Sequence, residues 1–305
     1  MSQPIDRRAF LNQSLQTALA VGAGTALAQV SEAESKSTPA PAQQGEWRVK
    51  KSVMWAMLPE KLSMEDRFKL AKDVGFAGVE IDPVHDEGKA LEFRRASEKV
   101  GIPVQSIIYG GWHAPLSDPD PKVQEFGMED VKKALQCAKW VGADNILLVP
   151  AVVTPKVSYR EAYTRSQANI RKLIPTAEKH NVLILVEEVW NKFLLSPLEM
   201  ARYIDEFKHP LVQSYFDIGN VVLFAYPEDW IRTLGKRIRK VHMKDFKRGN
   251  NQFVNLREGD VDWKEVRKAF MEVGFSSFMN TELGGGDETY LRDISSRVDK
   301  IIAGV

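Results

Sequence analysis

Cysteine is almost absent from this sequence: Cys137 is the single one in 305 residues. No intramolecular disulfide can form and no cluster of thiolates can hold a metal. Cys137 lies in the helix-patterned run MEDVKKALQCAKWVG and reads as a buried bystander. An excess of charge of either sign is also missing. With 42 basic and 41 acidic residues the formal net charge is +1, which provides no global field to attract DNA, RNA or an anionic membrane, so nucleic acid is not an expected partner. Histidine is scarce, with five in all. No Gly-x-Gly-x-x-Gly loop follows the first candidate strand, which weakens an open, doubly wound nucleotide-binding sheet. What remains is 44% hydrophobic and 27% charged residues, the balance of a globular protein with a sizeable core. The length suits one large domain, and α/β barrels alone commonly use about 250 residues.

The first 46 residues read as an address rather than as part of that domain. Arg7 and Arg8 precede Phe10, Leu11 and a weakly apolar run ending in Ala26-Leu27-Ala28, the order of a charged region, an apolar region and a small-residue cleavage site. The run is too short and too rich in Gly, Ala and Thr to span a ~30 Å hydrocarbon core. The DRRAFL stretch is similar to a twin-arginine export signal, with Asp6 where that pattern usually has Ser or Thr. Residues 1–28 are therefore read as a signal peptide, 29–46 as a Ser/Pro/Ala/Gln-rich linker and 47–305 as the catalytic domain. Export by this route gives a periplasmic protein, carried across already folded. A metal could be loaded beforehand, and phosphorylated metabolites become poor substrate candidates.

From Ser52 onward short apolar runs alternate with amphipathic stretches at helical spacing. The runs are SVMWAML (52–58), GVEI (78–81), PVQSIIYG (103–110), NILLVPAVV (145–153), VLILVEEV (182–189), VQSYFDI (212–218), KVHMKDF (240–246) and FMNTEL (278–283). Between them lie helix candidates such as SMEDRFKLAKDVG, SQANIRKLIPTAEKHN, SPLEMARYIDEF and DWKEVRKAFMEVG, opening on Ser or Asp and several closing on Gly or Asn. A recurrent Val-Gly before an apolar strand marks an internal repeat of one strand-helix unit. Eight such units predict a closed (β/α)8 barrel.

Barrel enzymes build their sites where the strands end. Strand five ends VEEVWN with Glu188, strand six FDIGN with Asp217, strand seven carries His242 in VHMKD, and strand eight ends NTEL with Glu282. Converging carboxylates repel unless a cation or proton sits among them. Three carboxylates and one imidazole suit one divalent ion of nearly octahedral preference: Mn2+ first, then Mg2+ or Co2+, before Zn2+. An ion with open positions polarises a carbonyl, and flanking carboxylates can then move a proton on the adjacent carbon.

These motifs resemble the sugar phosphate isomerase/epimerase superfamily, the xylose-isomerase-like barrels. EVWNKF (188–193) is similar to the family's Glu-x-x-Asn-Arg-Phe, FDIGN (216–220) to Asp-x-Gly-His, and EGDVDW (258–263) to Gly-Glu-Gly-x-Val-Asp-Trp, while HMKDFKR (242–248) has His and Arg at family spacing. The resemblance implies Glu188, Asp217, His242 and Glu282 as metal ligands, Glu188 and Glu282 as the acid/base pair, and Arg248 on substrate oxygens. Asn220 stands where the pattern has His, Leu194 where free-ketose 3-epimerases have a second Glu, and Arg257 where the turn has its first glycine. Glu80, His113 and Trp112 are further substrate-contact candidates, and Trp112 with Trp55 offers an apolar sugar platform. The function this predicts is isomerase, epimerase or lyase chemistry on a keto-sugar or 3-keto-glycoside. The alternatives are a non-catalytic exported sugar-binding barrel, or an endonuclease-IV-like hydrolase, for which the chain has few well-placed histidines. The expected partner is a small carbohydrate; assembly into a homo-oligomer is left open.

Deleting residues 1–28 should leave a folded, cytosolic domain, and changing Arg7 and Arg8 to lysine should stop export of the full chain. Cell fractionation checks both. Insolubility of the shortened chain, or unimpaired export of the lysine variant, would overturn the reading of this segment.

Overall fold

The computed structural model describes residues 47–305, so the signal and linker expected over 1–46 lie outside the described residues. Eight strands close into a barrel, every neighbouring pair parallel. In chain order they are β1 (Lys50–Met54), β2 (Val79–Ile81), β3 (Val104–Gly110), β4 (Asn145–Leu148), β5 (Leu183–Glu187), β6 (Val212–Asp217), β7 (Ile238–Met243) and β10 (Phe278–Thr281). A separate antiparallel hairpin, β8 (Asp245–Lys247) and β9 (Gln252–Val254), follows β7. The closed eight-stranded barrel read from the sequence is the fold observed.

Helices α1 (Met64–Asp73), α2 (Glu87–Val100), α3 (Pro121–Val141), α4 (Tyr159–His180), α5 (Pro197–Asp205), α6 (Ile218–Val222), α7 (Pro227–Leu234), α8 (Trp263–Val273) and α9 (Glu288–Ala303) lie between or after the strands. Local chemistry fixes many of their ends. Ser63, Asp86, Asp120, Ser158, Ser196, Asp262 and Asp287 each accept a backbone N–H at a helix start, which satisfies donors the helix itself cannot. Gly101, Gly142, Asn181, Gly274 and Gly304 end helices in the left-handed conformation. α4 starts earlier than the SQANIRK pattern suggested, at Tyr159, because Ser158 and Glu161 form a reciprocal capping box there.

The core divides by strand parity. Leu147, Leu185 and Tyr215, with Ile108 and Leu183 against them, form a small cluster inside the barrel. Ile146, Ile184, Val186, Phe216 and Val241 belong to the large cluster shared with the helices. Full burial of each such side chain contributes ~1.5–3 kcal/mol, so both faces of every strand are committed and a one-residue slip would be severely unfavourable. Cys137 is buried, as read from the sequence, and its Sγ accepts the Val84 N–H at 3.1 Å. Trp55 packs against Phe68 and Phe93 with Arg67 over its ring, the arrangement of a packing residue. Among the described residues no helix is long and apolar enough to cross a membrane.

KVHMKDF, expected as one strand through Phe246, is broken after Met243. Asp245 turns the chain out of the barrel: its carboxylate accepts from the backbone N–H groups of Arg257 and Val261 and from Trp263 Nε1, tying the HMKD segment to EGDVDW. Gly259 passes so close that a Cβ there would lie 2.1 Å from Asp245 Oδ1. Arg257, at the family's glycine position, has φ +72°, a left-handed conformation that explains why glycine suits this turn.

The loop after β3, which carries Trp112 and His113, is pressed onto α3 at Gly127, where a Cβ would sit 2.3 Å from the Ala114 carbonyl oxygen. Helix propensity alone would make Gly127→Ala stabilising by ~1 kcal/mol. The steric conflict should reverse that sign and destabilise the fold by ~1–3 kcal/mol; a thermal melt of the variant at or above wild type would contradict this packing.

Candidate metal centre

Four side chains converge at the C-terminal ends of four adjacent strands: Glu187 on β5, Asp217 on β6, His242 on β7 and Glu282 just past β10. Their ligand atoms all lie within 4.8 Å of one another. His242 Nδ1 is 2.8 Å from Glu187 Oε1, 2.9 Å from Glu282 Oε2 and 3.9 Å from Asp217 Oδ2. Lys244 Nζ completes the group, 2.9 Å from Asp217 Oδ2 and 2.8 Å from Glu282 Oε2.

Three of the four residues expected as ligands are brought together, and Glu188 is not among them. Inside the barrel β5 presents Leu183 and Leu185, so the next side chain on that face is Glu187. Glu188 has the opposite parity. Its Oε1 accepts the Asp217 backbone N–H at 2.5 Å and its Oε2 is buried without a hydrogen-bond partner. Burial raises its pKa well above the usual carboxylate value, helped by the charges of Glu187 and Asp217. Glu188 is thus placed to fix the end of β6, with Asn220, whose Nδ2 donates to the Glu188 carbonyl at 3.0 Å.

Asp217 divides its carboxylate between two tasks. Oδ1 caps α6 by accepting from Gly219 and Asn220 N–H at 2.8 and 3.0 Å, leaving Oδ2 for the cluster. Gly219 is required for this, because a Cβ there would lie 2.5 Å from Lys244 Cβ.

The electrostatics are those of crowded carboxylates. Burial lifts Glu187 to about 7, against the pull of His242, and also raises Asp217, with Lys244 opposing. Burial works the same way on Glu282, but His242 and Lys244 overcome it and hold that carboxyl well below the ordinary range. Burial disfavours a charged His242, yet Tyr215, Glu282 and Glu80 around it leave its pKa well raised. Asp217 Oδ2 and Glu282 Oε2 are buried and receive no hydrogen bond of good geometry, even with the Lys244 ammonium at ion-pair distance. Two such oxygens beside an imidazole nitrogen and a third carboxylate form a donor set that fits a divalent cation.

The remaining candidates lie elsewhere. Glu80 is fully buried inside the barrel and bonds Tyr215, His242 and Asn280. Arg248 donates to the carbonyl oxygens of Val222 and Ala225 and covers the Tyr226 ring, so its guanidinium is committed to the loop after α6. His113 is half-exposed and pairs with Asp130 at 2.9 Å, and Trp112 is exposed. Asn220 is buried, clamping β5 to β6. Leu194, where a second Glu was missed, is buried with φ +54° and donates its N–H to Tyr159 Oη. Sequence reasoning did not single out Glu187 or Lys244. VLILVEEV is uniformly apolar before its two glutamates, so only the barrel register shows that Glu187 shares the face of Leu183 and Leu185; for Lys244 the available signal was the two-residue step from His242.

A cavity of about 680 Å3 opens beside Glu282 and Lys244, with Met54, Phe253, Asn255 and Tyr290 among its walls. That size lies within the range of small-molecule sites. Phe253, on the hairpin, stacks on Trp190 at 5.0 Å.

Comparison with known proteins agrees with this fold. The model of the xylose isomerase-like TIM barrel family matches residues 68–297. An L-ribulose-5-phosphate 3-epimerase, UlaE, of Escherichia coli (O1:K1 / APEC) is 28% identical over 224 residues, covering 69% of this chain and 78% of its own. Among solved structures, the 3-keto-D-glucoside 4-epimerase YcjR of E. coli superposes with a TM-score of 0.71 at 16% identity, over 83% of this chain and 99% of its own. D-psicose 3-epimerase of Clostridium cellulolyticum H10 gives 0.70 at 18% identity, over 82% and 97%. At such identities the structural likeness establishes the fold. The family match covers most of the chain, and the chain belongs to the xylose isomerase-like TIM barrel family, with sugar epimerases among its homologues.

Proposed function

We propose that this protein is a divalent-metal-dependent sugar isomerase or epimerase that moves a proton on the carbon beside a carbonyl of a keto-sugar or 3-keto-glycoside. A lyase outcome would use the same first step. The observation that carries the reading is the convergence of Glu187, Asp217, His242 and Glu282 within 4.8 Å, three carboxylates around one imidazole nitrogen. The sugar epimerase relatives support the substrate class.

A divalent ion held by these four residues, Mn2+ by preference, would supply stabilisation of negative charge on the carbonyl oxygen of the substrate. The chain supplies the rest. Glu187 and Glu282 stand on strands separated by β6 and β7, so their carboxylates approach a substrate from different sides. In an epimerase one takes the proton from the carbon and the other delivers a proton to the opposite face. Lys244 offers a charged donor at the cavity end of the cluster.

The cavity walls favour an uncharged substrate. Lys244, the cation among its lining residues, is already paired with Asp217 and Glu282, and the nearby Arg297 is taken up by Glu258, so the lining offers a phosphate no unpaired cation. Export to the periplasm, proposed from the N-terminal sequence, points the same way, because phosphorylated sugars are kept in the cytosol.

Titration calorimetry should detect one divalent site per chain. Glu187→Gln should weaken it about tenfold or more, the scale for disturbing a metal shell, while Glu188→Gln should change it far less. Equal losses would return Glu188 to the ligand set. In D2O, NMR should show deuterium entering a single carbon of a free ketose or 3-keto-glycoside from a panel of both, and chelation should abolish it. With metal content held equal, Glu187→Gln and Glu282→Gln should each lower turnover about a hundredfold or more. Near wild-type turnover in both would exclude this proton-transfer mechanism.

A further inference from the structure

We infer that Glu80, on the far side of the His242 ring from the carboxylate cluster, is a positioning residue that sets the proton location on His242 and thereby makes Nδ1 the metal-facing nitrogen. This rests on the reading of the cluster as a metal site.

The geometry leaves Glu80 a single role toward the ring. Its side chain is fully buried inside the barrel. Oε1 accepts from Tyr215 Oη at 2.8 Å, and Oε2 accepts from Asn280 Nδ2 at 2.7 Å. The Asn280 amide is itself oriented, since its Oδ1 accepts from Ser52 Oγ at 3.0 Å, so its NH2 must face Glu80. With both oxygens already acting as acceptors, the 2.7 Å contact between Oε2 and His242 Nε2 is an N–H donated by the ring. A cation that takes the place of any proton on Nδ1 leaves a neutral imidazole protonated on Nε2, with its lone pair on Nδ1. Nδ1 is the nitrogen that faces Glu187, Asp217 and Glu282. Tyr215 also packs against the ring, with centroids 4.4 Å apart, and fixes its plane. A carboxylate behind a ligating histidine both selects the tautomer and makes the other nitrogen a better donor to a metal.

Glu80→Gln is the conservative test. Its amide oxygen can still accept from Nε2 and from Asn280, with the NH2 turned to Tyr215 Oη, so the fold and the tautomer should survive while the negative charge is lost. Mn2+ affinity by calorimetry should fall about 10- to 100-fold. Tyr215→Phe keeps the ring packed on His242 and removes only a different bond to the same carboxylate, so it should lower Mn2+ affinity several-fold less than Glu80→Gln. In 15N-histidine protein loaded with Mg2+, His242 should show a strongly hydrogen-bonded Nε2–H resonance and an unprotonated Nδ1, and Glu80→Gln should shift the Nε2–H signal.

A folded Glu80→Gln protein with unchanged Mn2+ affinity would overturn the inference, as would equal loss of affinity in the two variants or an Nδ1–H signal in the Mg2+ form. Failure of the underlying reading looks different. A wild-type protein that binds neither Mn2+ nor Mg2+ would remove the metal site itself and the role of Glu80 with it.

Discussion

Side chains alternate between the two faces of every barrel strand, and the chemistry of this protein depends on where the inner face changes from apolar to ionisable. Leu183 and Leu185 give way to Glu187 and Tyr215 to Asp217, while β10 is already polar at Asn280 before Glu282. Because closure and the helix-packed outer face fix the register, these groups must meet. Taking several charges out of water is costly, on the order of several kcal/mol per ion. Much of that cost is gathered at the cluster, where the His242 imidazole and the Lys244 ammonium offset it; Lys240, buried apart from it, pairs with Asp144 at 3.1 Å.

The cluster is held from both directions along the barrel. Toward the interior, His242 leans on Glu80, which Tyr215 and Asn280 hold in turn. Toward the mouth, the strand ends are locked by residues that share the polar character of the ligands but serve the backbone. Glu188 receives the Asp217 N–H, Asp217 caps α6 with one oxygen, and Asp245 gathers the loop from Arg257 to Trp263. Buried polar groups are tolerable only when satisfied. Among the described residues, the buried carboxylate oxygens that receive no hydrogen bond of good geometry, Glu188 Oε2, Asp217 Oδ2 and Glu282 Oε2, lie at or beside the site, the last two within ion-pair distance of Lys244.

Gly219 and Gly259 show how backbone spacing serves the same end. Each allows a strand-end loop to come within contact of the β7–β8 junction, and a methyl group at either would collide with Lys244 or Asp245. The position of Lys244 beside Asp217 therefore depends on a residue with no side chain of its own.

The sequence by itself determined the barrel, because eight apolar runs separated by capped amphipathic helices leave few other ways to bury both faces of a parallel sheet. It also determined that carboxylates and His242 end adjacent strands, since strand ends are marked by the change from apolar to polar residues. It could not choose between Glu187 and Glu188. In VLILVEEV every residue before the pair is apolar, so no alternation shows which side chain faces inward; the family-like spacing to Asn191 points to Glu188, whereas the barrel turns Glu187 into the cluster. Nor could it separate Arg248, which folds back onto carbonyl oxygens, from Lys244, which reaches the cluster. Those choices belong to tertiary structure: the pairing register of the closed barrel and the close approach of loops far apart in sequence decide which of two adjacent polar side chains turns inward.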